Sequence, residues 1–467
     1  MTFLSYPIDT GHSINCIAID GQYNASNNLS YASVSDTHFC TYNKVVSGVQ
    51  QIFIAYSTDG GETWTPEQVT TLADVRGAYN KYGSSCAVDI NGTGLHLVYA
   101  SKGYGPTANR RAGRTMMYRF RDASGVWSAE QVTGSVAEEV TYRQYYQPCI
   151  AIDSSDNVHM ACIYGNSYSS FFGWTTYLIN YVKRNSITGV WGDRAYLYYG
   201  VSDATGNYYN LRRPNIQVDS YGNPQIVCHC LRPITAYDVQ CYTTVWFANL
   251  QQGALAGWPR IYFVAPYWVY SPIYERINSH ILCDKDRSGP GGTGSPGDAN
   301  SPSTYARLAL SHSSVGDNCY YDGVNEYDYP HCVYNFSSIG FPDPIGTYYT
   351  WKDDYGWHDE IISVGPASSP NPSVAINPDG KIHTIIPAPI TAGTYDYRQR
   401  ATYDEPWGLK VSTPNIYYPR QLVQLNSTQY PMNTMACSPF LAMSGATGTE
   451  LKFFKCADVV TGYGYFM

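Results

Sequence analysis

Short apolar runs recur along the chain, each closed by a polar residue. They read Cys16-Ile17-Ala18-Ile19-Asp20, Cys86-Ala87-Val88-Asp89, Ile150-Ala151-Ile152-Asp153, Ile216-Gln217-Val218-Asp219, Leu308-Ala309-Leu310-Ser311, Val374-Ala375-Ile376-Asn377 and Phe440-Leu441-Ala442-Met443-Ser444. Several are followed, after a turn, by a second apolar run that carries a histidine: Leu95-His96-Leu97-Val98-Tyr99, Val158-His159-Met160-Ala161 and Lys381-Ile382-His383. Runs this short, bounded by turn formers, predict buried β-strands rather than helices. The closing polar residues return at intervals of about 65 residues, with one longer step before Ser311. A second marker keeps the same phase. Trp64, Trp127, Trp191, Trp258, Trp357 and Trp407 are each expected to open the last strand of a unit. The phrase Trp64-x-x-Glu67-Gln68-Val69-Thr70 even returns as Trp127-x-x-Glu130-Gln131-Val132-Thr133.

Each unit therefore reads as four strands. A sheet that small leaves both of its faces in need of cover, and stacking such sheets around an axis supplies it. The predicted fold is all-β: a seven-bladed β-propeller of four-stranded blades, forming one domain over residues 1–467. The last unit is one strand short, with only Leu451-Lys452-Phe453-Phe454-Lys455 and Gly462-Tyr463-Gly464-Tyr465-Phe466 after Ser444. The N-terminal Thr2-Phe3-Leu4-Ser5-Tyr6 is expected to supply the missing outer strand and close the ring. The long step holds an insertion, 265–304, between the fourth and fifth blades, rich in turn formers such as Gly289-Pro290-Gly291-Gly292. A surface loop and a lid or assembly contact are both open readings of it.

One turn is more specific than the rest. Ser57-Thr58-Asp59-Gly60-Gly61-Glu62-Thr63-Trp64 joins two β-rich runs. Glycine reaches the φ > 0 geometry of tight turns, and Ser, Asp and Thr hydrogen-bond nearby backbone. The spacing of Ser57, Asp59, Gly61, Thr63 and Trp64 matches the Asp-box, so the chain resembles the sialidase-like (BNR-repeat) β-propellers. Degenerate copies are Asp122-Ala123-Ser124-Gly125-Val126-Trp127 and Ser186-Ile187-Thr188-Gly189-Val190-Trp191. The resemblance implies a structural role for these turns, on the face opposite the ligand site.

Composition narrows the function classes. Only 14% of residues are charged, while 46 are Tyr, 41 Gly and 27 Pro, a balance that suits strands and turns. Abundant Tyr also suits a surface that meets polar, ring-shaped ligands or other proteins. A net charge of -8 with no basic run argues against nucleic-acid binding. No apolar run is long enough to span a bilayer, so membrane insertion is not expected. The N-terminus lacks the basic start and apolar stretch of a signal peptide, so synthesis in the cytoplasm is expected. The 13 cysteines are an odd count; Cys16, Cys86, Cys149, Cys162, Cys228, Cys332 and Cys437 sit in apolar patterns and read as buried reduced thiols. In Cys228-His229-Cys230, strand alternation sends His229 to the other face from both thiols, so neither a metal nor another cofactor is expected.

The chemistry concentrates where inner strands begin. There stand Lys81, Tyr142, Arg143, Tyr146, Tyr209, Arg212, Arg213, Tyr305 and Arg307, with Glu138 and Glu139 nearby. Asn109-Arg110-Arg111-Ala112-Gly113-Arg114 adds a second-to-third-strand loop on the same side. Arginine offers a planar fork to carboxylate or sulfate, and tyrosine stacks on sugars. These residues form the candidate ligand-binding face; bracing of the blade tops is the competing role. The resemblance to sialidases implies that Arg143, Arg212 and Arg307 take the place of a carboxylate-binding triad. The family's Arg-Ile-Pro element and its Tyr/Glu nucleophile pair are not found. Related propeller lyases abstract a proton with His and Tyr, which points to His96, His159 and His383, although a histidine repeated in several blades reads first as packing. The leading expectation is a non-enzymatic propeller that recognises glycans or protein neighbours in an assembly, such as a virion tail or host-attachment component. The alternative is a carbohydrate-active enzyme on acidic glycans, either an exo-glycosidase of sialidase type or a polysaccharide lyase.

Overall fold

The structure, a computed structural model, describes the 32 strands given below, the turns at 58–59, 63–64, 69–71, 89, 94, 122–130, 133, 153–157, 185–192 and 219–223, and residues 47, 372 and 407. Along parts of some strands only the backbone is described. No helix occurs among the described residues.

In chain order, β1 (Phe3–Asp9) stands first. A sheet follows from β2 (Asn27–Val34), β3 (Thr37–Val46), β4 (Val49–Ser57) and β5 (Thr65–Gln68). Next come β6 (Ser84–Val88), β7 (Leu95–Lys102), β8 (Arg114–Arg121) and β9 (Gln131–Val132), then β10 (Arg143–Ile152), β11 (Val158–Asn166), β12 (Thr176–Arg184) and β13 (Ala195–Leu197). The β14 sheet holds β14 (Asn210–Val218), β15 (Pro224–Arg232) and β16 (Tyr242–Leu250); a separate pair, β17 (Phe263–Val264) and β18 (Tyr267–Trp268), precedes its outer strand β19 (Ile277–Cys283). The β20 sheet has β20 (Arg307–Ser311), β21 (Cys319–Tyr321), β22 (Glu326–Phe336), β23 (Gly346–Asp353) and β24 (Gly356–Val364). After it run β25 (Ser373–Ile376), β26 (Ile382–Pro387), β27 (Tyr395–Arg400) and β28 (Lys410–Thr413), and last β29 (Gln421–Gln424), β30 (Ser438–Pro439), β31 (Leu451–Cys456) and β32 (Tyr463–Phe466).

Neighbouring strands joined by short turns are antiparallel, while β8 meets β10 in parallel at Arg114 and Gln144. The first strands β2, β6, β10, β14, β20, β25 and β29 each lie against the next in chain order. In the last sheet the order is β1-β31-β32-β29, so the N-terminal strand lies outermost, with Phe3 opposite Cys456.

Alternation explains why no sheet stands alone. Cys86, Val88, Leu97, Tyr99 and Met117 pack with Phe39, Ile52, Ile54 and Val69 of the β2 sheet. Their neighbours Ala87, Val98, Ala100, Met116 and Tyr118 face the other way, into a core with Ile150, Met160 and Tyr181 of the β10 sheet. Both faces of the β6 sheet are thus buried, each by a different neighbour. Cys86, Cys149, Cys162 and Cys332 are buried free thiols, as their apolar settings suggest.

A polar clasp joins successive sheets through the glutamates of two Trp-x-x-Glu runs, Glu67 and Glu360, while Glu130 of another such run accepts from Tyr99 Oη instead. Glu67 on β5 accepts from Trp127 Nε1 at 2.5 Å and from Arg121 Nε at 3.1 Å, both on the following sheet. Arg121 also lies over the Tyr56 ring, 4.8 Å from its centroid. The same parts recur far along the chain. Glu360 on β24 accepts from Trp407 Nε1 at 2.6 Å and from Arg400 Nη1 at 2.8 Å, and Arg400 lies over Tyr349 at 4.5 Å. Between them, Arg184 covers Tyr118 at 4.7 Å and reaches Gln131.

Several expectations move. The first sheet opens at Asn27, while the Cys16–Asp20 run lies outside the described residues. β2 and β3 pair as far as Val34 opposite Thr37. Phe440–Ser444 and Trp258 also lie outside the described residues. The strand beside β32 is β29, and the fourth strand of the β14 sheet comes from within the 265–304 stretch. Tyr42, Tyr99, Tyr118, Tyr181 and Tyr349 are fully buried, so part of the tyrosine content serves the core rather than a ligand surface.

Candidate functional site

The two edges of the sheets carry opposite chemistry. One edge gathers the first-to-second and third-to-fourth turns; Ser186 Oγ in one such turn donates to the Ser155 carbonyl in another at 2.6 Å. These turns are closed by carboxylates and amides. Asp59 accepts from Ser57 Oγ at 2.7 Å and from Thr63 N and Oγ1 at 2.9 and 2.6 Å, while Gly61 lies outside the described residues. Trp64 is half-buried as β5 begins. Asp122 accepts from Ser124 Oγ and Val126 N, with Gly125 at φ 86. In the third turn the cap is Asn185, one residue before the expected Ser186, with Gly189 at φ 68. These side chains close the turns in which they sit.

The other edge is cationic. There β10 begins at Arg143, β8 at Arg114 and β20 at Arg307, while β7 ends at Lys102 and β15 at Arg232. Arg212 and Arg213 follow two residues into β14. Lys102 stands directly opposite Arg114, and Arg114 pairs in parallel with Gln144. None of β6, β7, β8, β10, β11, β12, β14, β15, β16 or β20 contains an Asp or Glu. An edge where the backbone gathers this many positive residues suits an anion. The backbone thus brings Arg143, Tyr146, Arg212, Arg213 and Arg307 to one edge of consecutive sheets. Lys81, Tyr142, Tyr209 and Tyr305, with Glu138 and Glu139, lie outside the described residues.

Two of the candidate histidines, His96 and His159, belong to the core instead, and so does His331. His96 Nδ1 meets Tyr118 Oη at 2.8 Å, His159 Nδ1 meets Tyr181 Oη at 2.7 Å, and His331 Nδ1 meets Tyr349 Oη at 2.5 Å. The register of β26 sets His383 opposite Ala375. Burial, and then the Arg184 charge, lower the His96 pKa to about 3. Burial and Arg400 do the same for His331, to about 3. His159 is lowered by burial, which outweighs its bond to Asp153. Burial pushes the Tyr118 phenol up to about 12. Neutral rings held by buried phenols are packing devices, and His331, unremarked in the sequence, joins the set because its Tyr partner sits on the next strand. A polar residue in the preceding turn completes two of them: His159 Nε2 meets Asp153 Oδ2 at 2.9 Å, and His331 Nε2 meets Ser311 Oγ at 2.9 Å.

The sequence matches no protein-family model and no curated protein. Solved structures do match. The polysaccharide lyase Uly1 superposes with a TM-score of 0.50 at 10% identity, over 99% of this chain and 98% of that one. An ulvan lyase, described as a new family of polysaccharide lyase, gives 0.50 at 9% identity, over 90% and 89%. An α-L-arabinofuranosidase of Fusarium graminearum gives 0.41 at 10% identity. What the two lyases share with this chain is a fold, and that fold is the β-propeller.

Proposed function

We propose that this protein is a carbohydrate-active enzyme acting on acidic glycans, of the polysaccharide-lyase kind. One observation carries the reading: consecutive sheets present Lys102, Arg114, Arg143, Arg212, Arg213, Arg232 and Arg307 along one edge, on strands free of acids. Full-length likeness of fold to polysaccharide lyases supports it. In β-elimination a base removes the proton next to a uronate carboxylate, the electron pair forms a C=C bond, and the glycosidic C–O bond breaks as an acid protonates the leaving oxygen. Arginines that neutralise the carboxylate stabilise the charge that develops. Arg143, Arg212 and Arg307 take that role. A tyrosine phenol is the proton-transfer group this reading calls for, because a guanidinium beside a phenol lowers its pKa. His96, His159 and His331 are excluded from it by their buried bonds to tyrosine.

The reading includes a finer view of the fold. The chain is one domain of seven blades around an axis, closed where β1 joins β31, and akin to the sialidase-like propellers through the turns at Asp59 and Asp122. Incubation with a panel of uronate polymers, followed by ultraviolet absorbance of unsaturated ends, tests the activity. The expected result is product with the wild-type chain and at least a tenfold loss, about 1.4 kcal/mol, in Arg143→Ala and Arg212→Ala. No unsaturated product from any polymer would overturn it. The locking of His96, His159 and His331 favours a second reading, an attachment or assembly module of a virion. Glycan binding without any cleavage is its signature.

A further inference from the structure

The turn edge of the β14 sheet breaks a pattern kept by its neighbour. In the β10 sheet, Asp153 is answered by cationic and donor groups: His159 Nε2 at 2.9 Å and Lys183 Nζ at 3.0 Å. Lys183 stands opposite His159 in the register. The same positions of the β14 sheet are Gln225 and, opposite it, Asn249. The imidazole donor and the lysine cation have both become amides. A carboxylate has been added as well, since Asp328 of β22 comes against this turn and accepts from Ser220 N and Oγ at 2.8 Å each. Asp219 and Asp328 are 4% and 3% exposed. Asp219 Oδ1 is well satisfied by Asn223 N at 2.6 Å and Tyr221 N at 3.1 Å. Its Oδ2 receives only long contacts, from Asn223 Nδ2 at 3.3 Å and Gln225 Nε2 at 3.4 Å. Among the described residues no cation faces Asp219.

A second, independent feature lies at the same point. Gln225 is fully buried, and its Oε1 has no hydrogen-bond partner. Its amide nitrogen stands 3.4 Å from Asp219 Oδ2 and 3.1 Å from the Asp328 carbonyl oxygen. A half-turn of the amide, which exchanges its two ends, places Oε1 at those distances. Oxygens so spaced are neighbouring ligands around a hard cation bound at about 2.4 Å.

We propose that Asp219, Gln225 and Asp328 form a binding site for a hard divalent cation, calcium by its all-oxygen donors, at the joint between the β14 and β20 sheets. Asp219 Oδ2, Gln225 Oε1 and the Asp328 carbonyl are the ligands, and the ion takes the place that Lys183 and His159 fill in the neighbouring sheet. The site is remote from the cationic edge and independent of the catalytic reading.

Thermal unfolding of the full chain, stripped with a chelator and titrated with calcium chloride at about pH 8, tests it. The expected result is a rise of several degrees with calcium that saturates. In Asp219→Asn the rise disappears while the chelated protein melts higher than chelated wild type. Gln225→Leu keeps both carboxylates and is expected to bind calcium at least about tenfold more weakly. A wild-type chain whose melting ignores calcium, or an Asp219→Asn chain that responds as wild type does, would overturn the site.

Discussion

The Asp153 and Asp219 turns share one backbone plan and have opposite electrostatics. In each, an aspartate closes the first strand, its amide donates to the carbonyl of the residue four positions on, and its carboxylate accepts from the amides two and four positions on. Burial opposes ionisation of Asp153, yet bonds from His159 and Asn157 and the Lys183 charge outweigh it, holding the carboxyl well below its usual range. For Asp219, burial is reinforced by Asp328, and Asn223 and Gln225 only partly offset them, so the pKa rises to about 7. A repeated turn therefore fixes geometry, while the residue six positions on, His159 or Gln225, decides whether the turn stores or spends stability.

The largest effect expected is from Asp153→Ala. It leaves His159, Asn157 and Lys183 without their shared acceptor, and a loss of about 3–5 kcal/mol is expected in denaturant unfolding. Asp219→Asn should move the other way. In chelator at about pH 8 it relieves a buried charge and gains roughly 1–4 kcal/mol, but gains little at about pH 4. The two turns should also part on a pH sweep. Because Asp219 is raised, the unfolded chain ionises there first as pH climbs from about 4, and the folded state loses stability until about pH 7. Because Asp153 is lowered, its contribution is complete above the ordinary carboxylate range and falls away only on acidification. Amide exchange near 219–223 should therefore quicken from acid to neutral pH, after correction for intrinsic rates, while exchange near 153–157 keeps constant protection. A milder test converts one turn toward the other. His159→Gln should cost about 1–2 kcal/mol, and the comparison fails if it is neutral. The smallest change is Gln225→His, expected to shift stability by under about 1 kcal/mol while flattening the pH slope from Asp219.

The periodic runs showed the propeller plan because strand alternation writes burial directly into the residues: Cys86 and Val88 serve one core, Ala87 another. Trp127 and Trp407 were legible for a similar reason, since each must reach a glutamate of the sheet before it. The arginines of the clasp were missed. Arg121 and Arg400 look like ordinary surface charges until their rings, Tyr56 and Tyr349, are brought over from the preceding sheet. β2 was passed over because its run, Tyr31-Ala32-Ser33-Val34, is too polar to stand out against Cys16–Asp20. The cationic edge was visible at Arg143, Arg212 and Arg307 as a shared position. Lys102 and Arg232 escaped notice because they end strands rather than begin them.

The glutamate–tryptophan clasp has a consequence for how such a chain is made. Glu67 emerges from the ribosome well before Trp127 and Arg121, and Glu360 before Trp407 and Arg400, so each of these two acceptors stands idle until the next sheet arrives. At these seams assembly therefore has a direction, the earlier unit being finished by the one behind it. Excising a single unit would join an acceptor to the wrong donor rather than merely shorten the array, whereas reopening the chain in a loop elsewhere would leave every clasp intact.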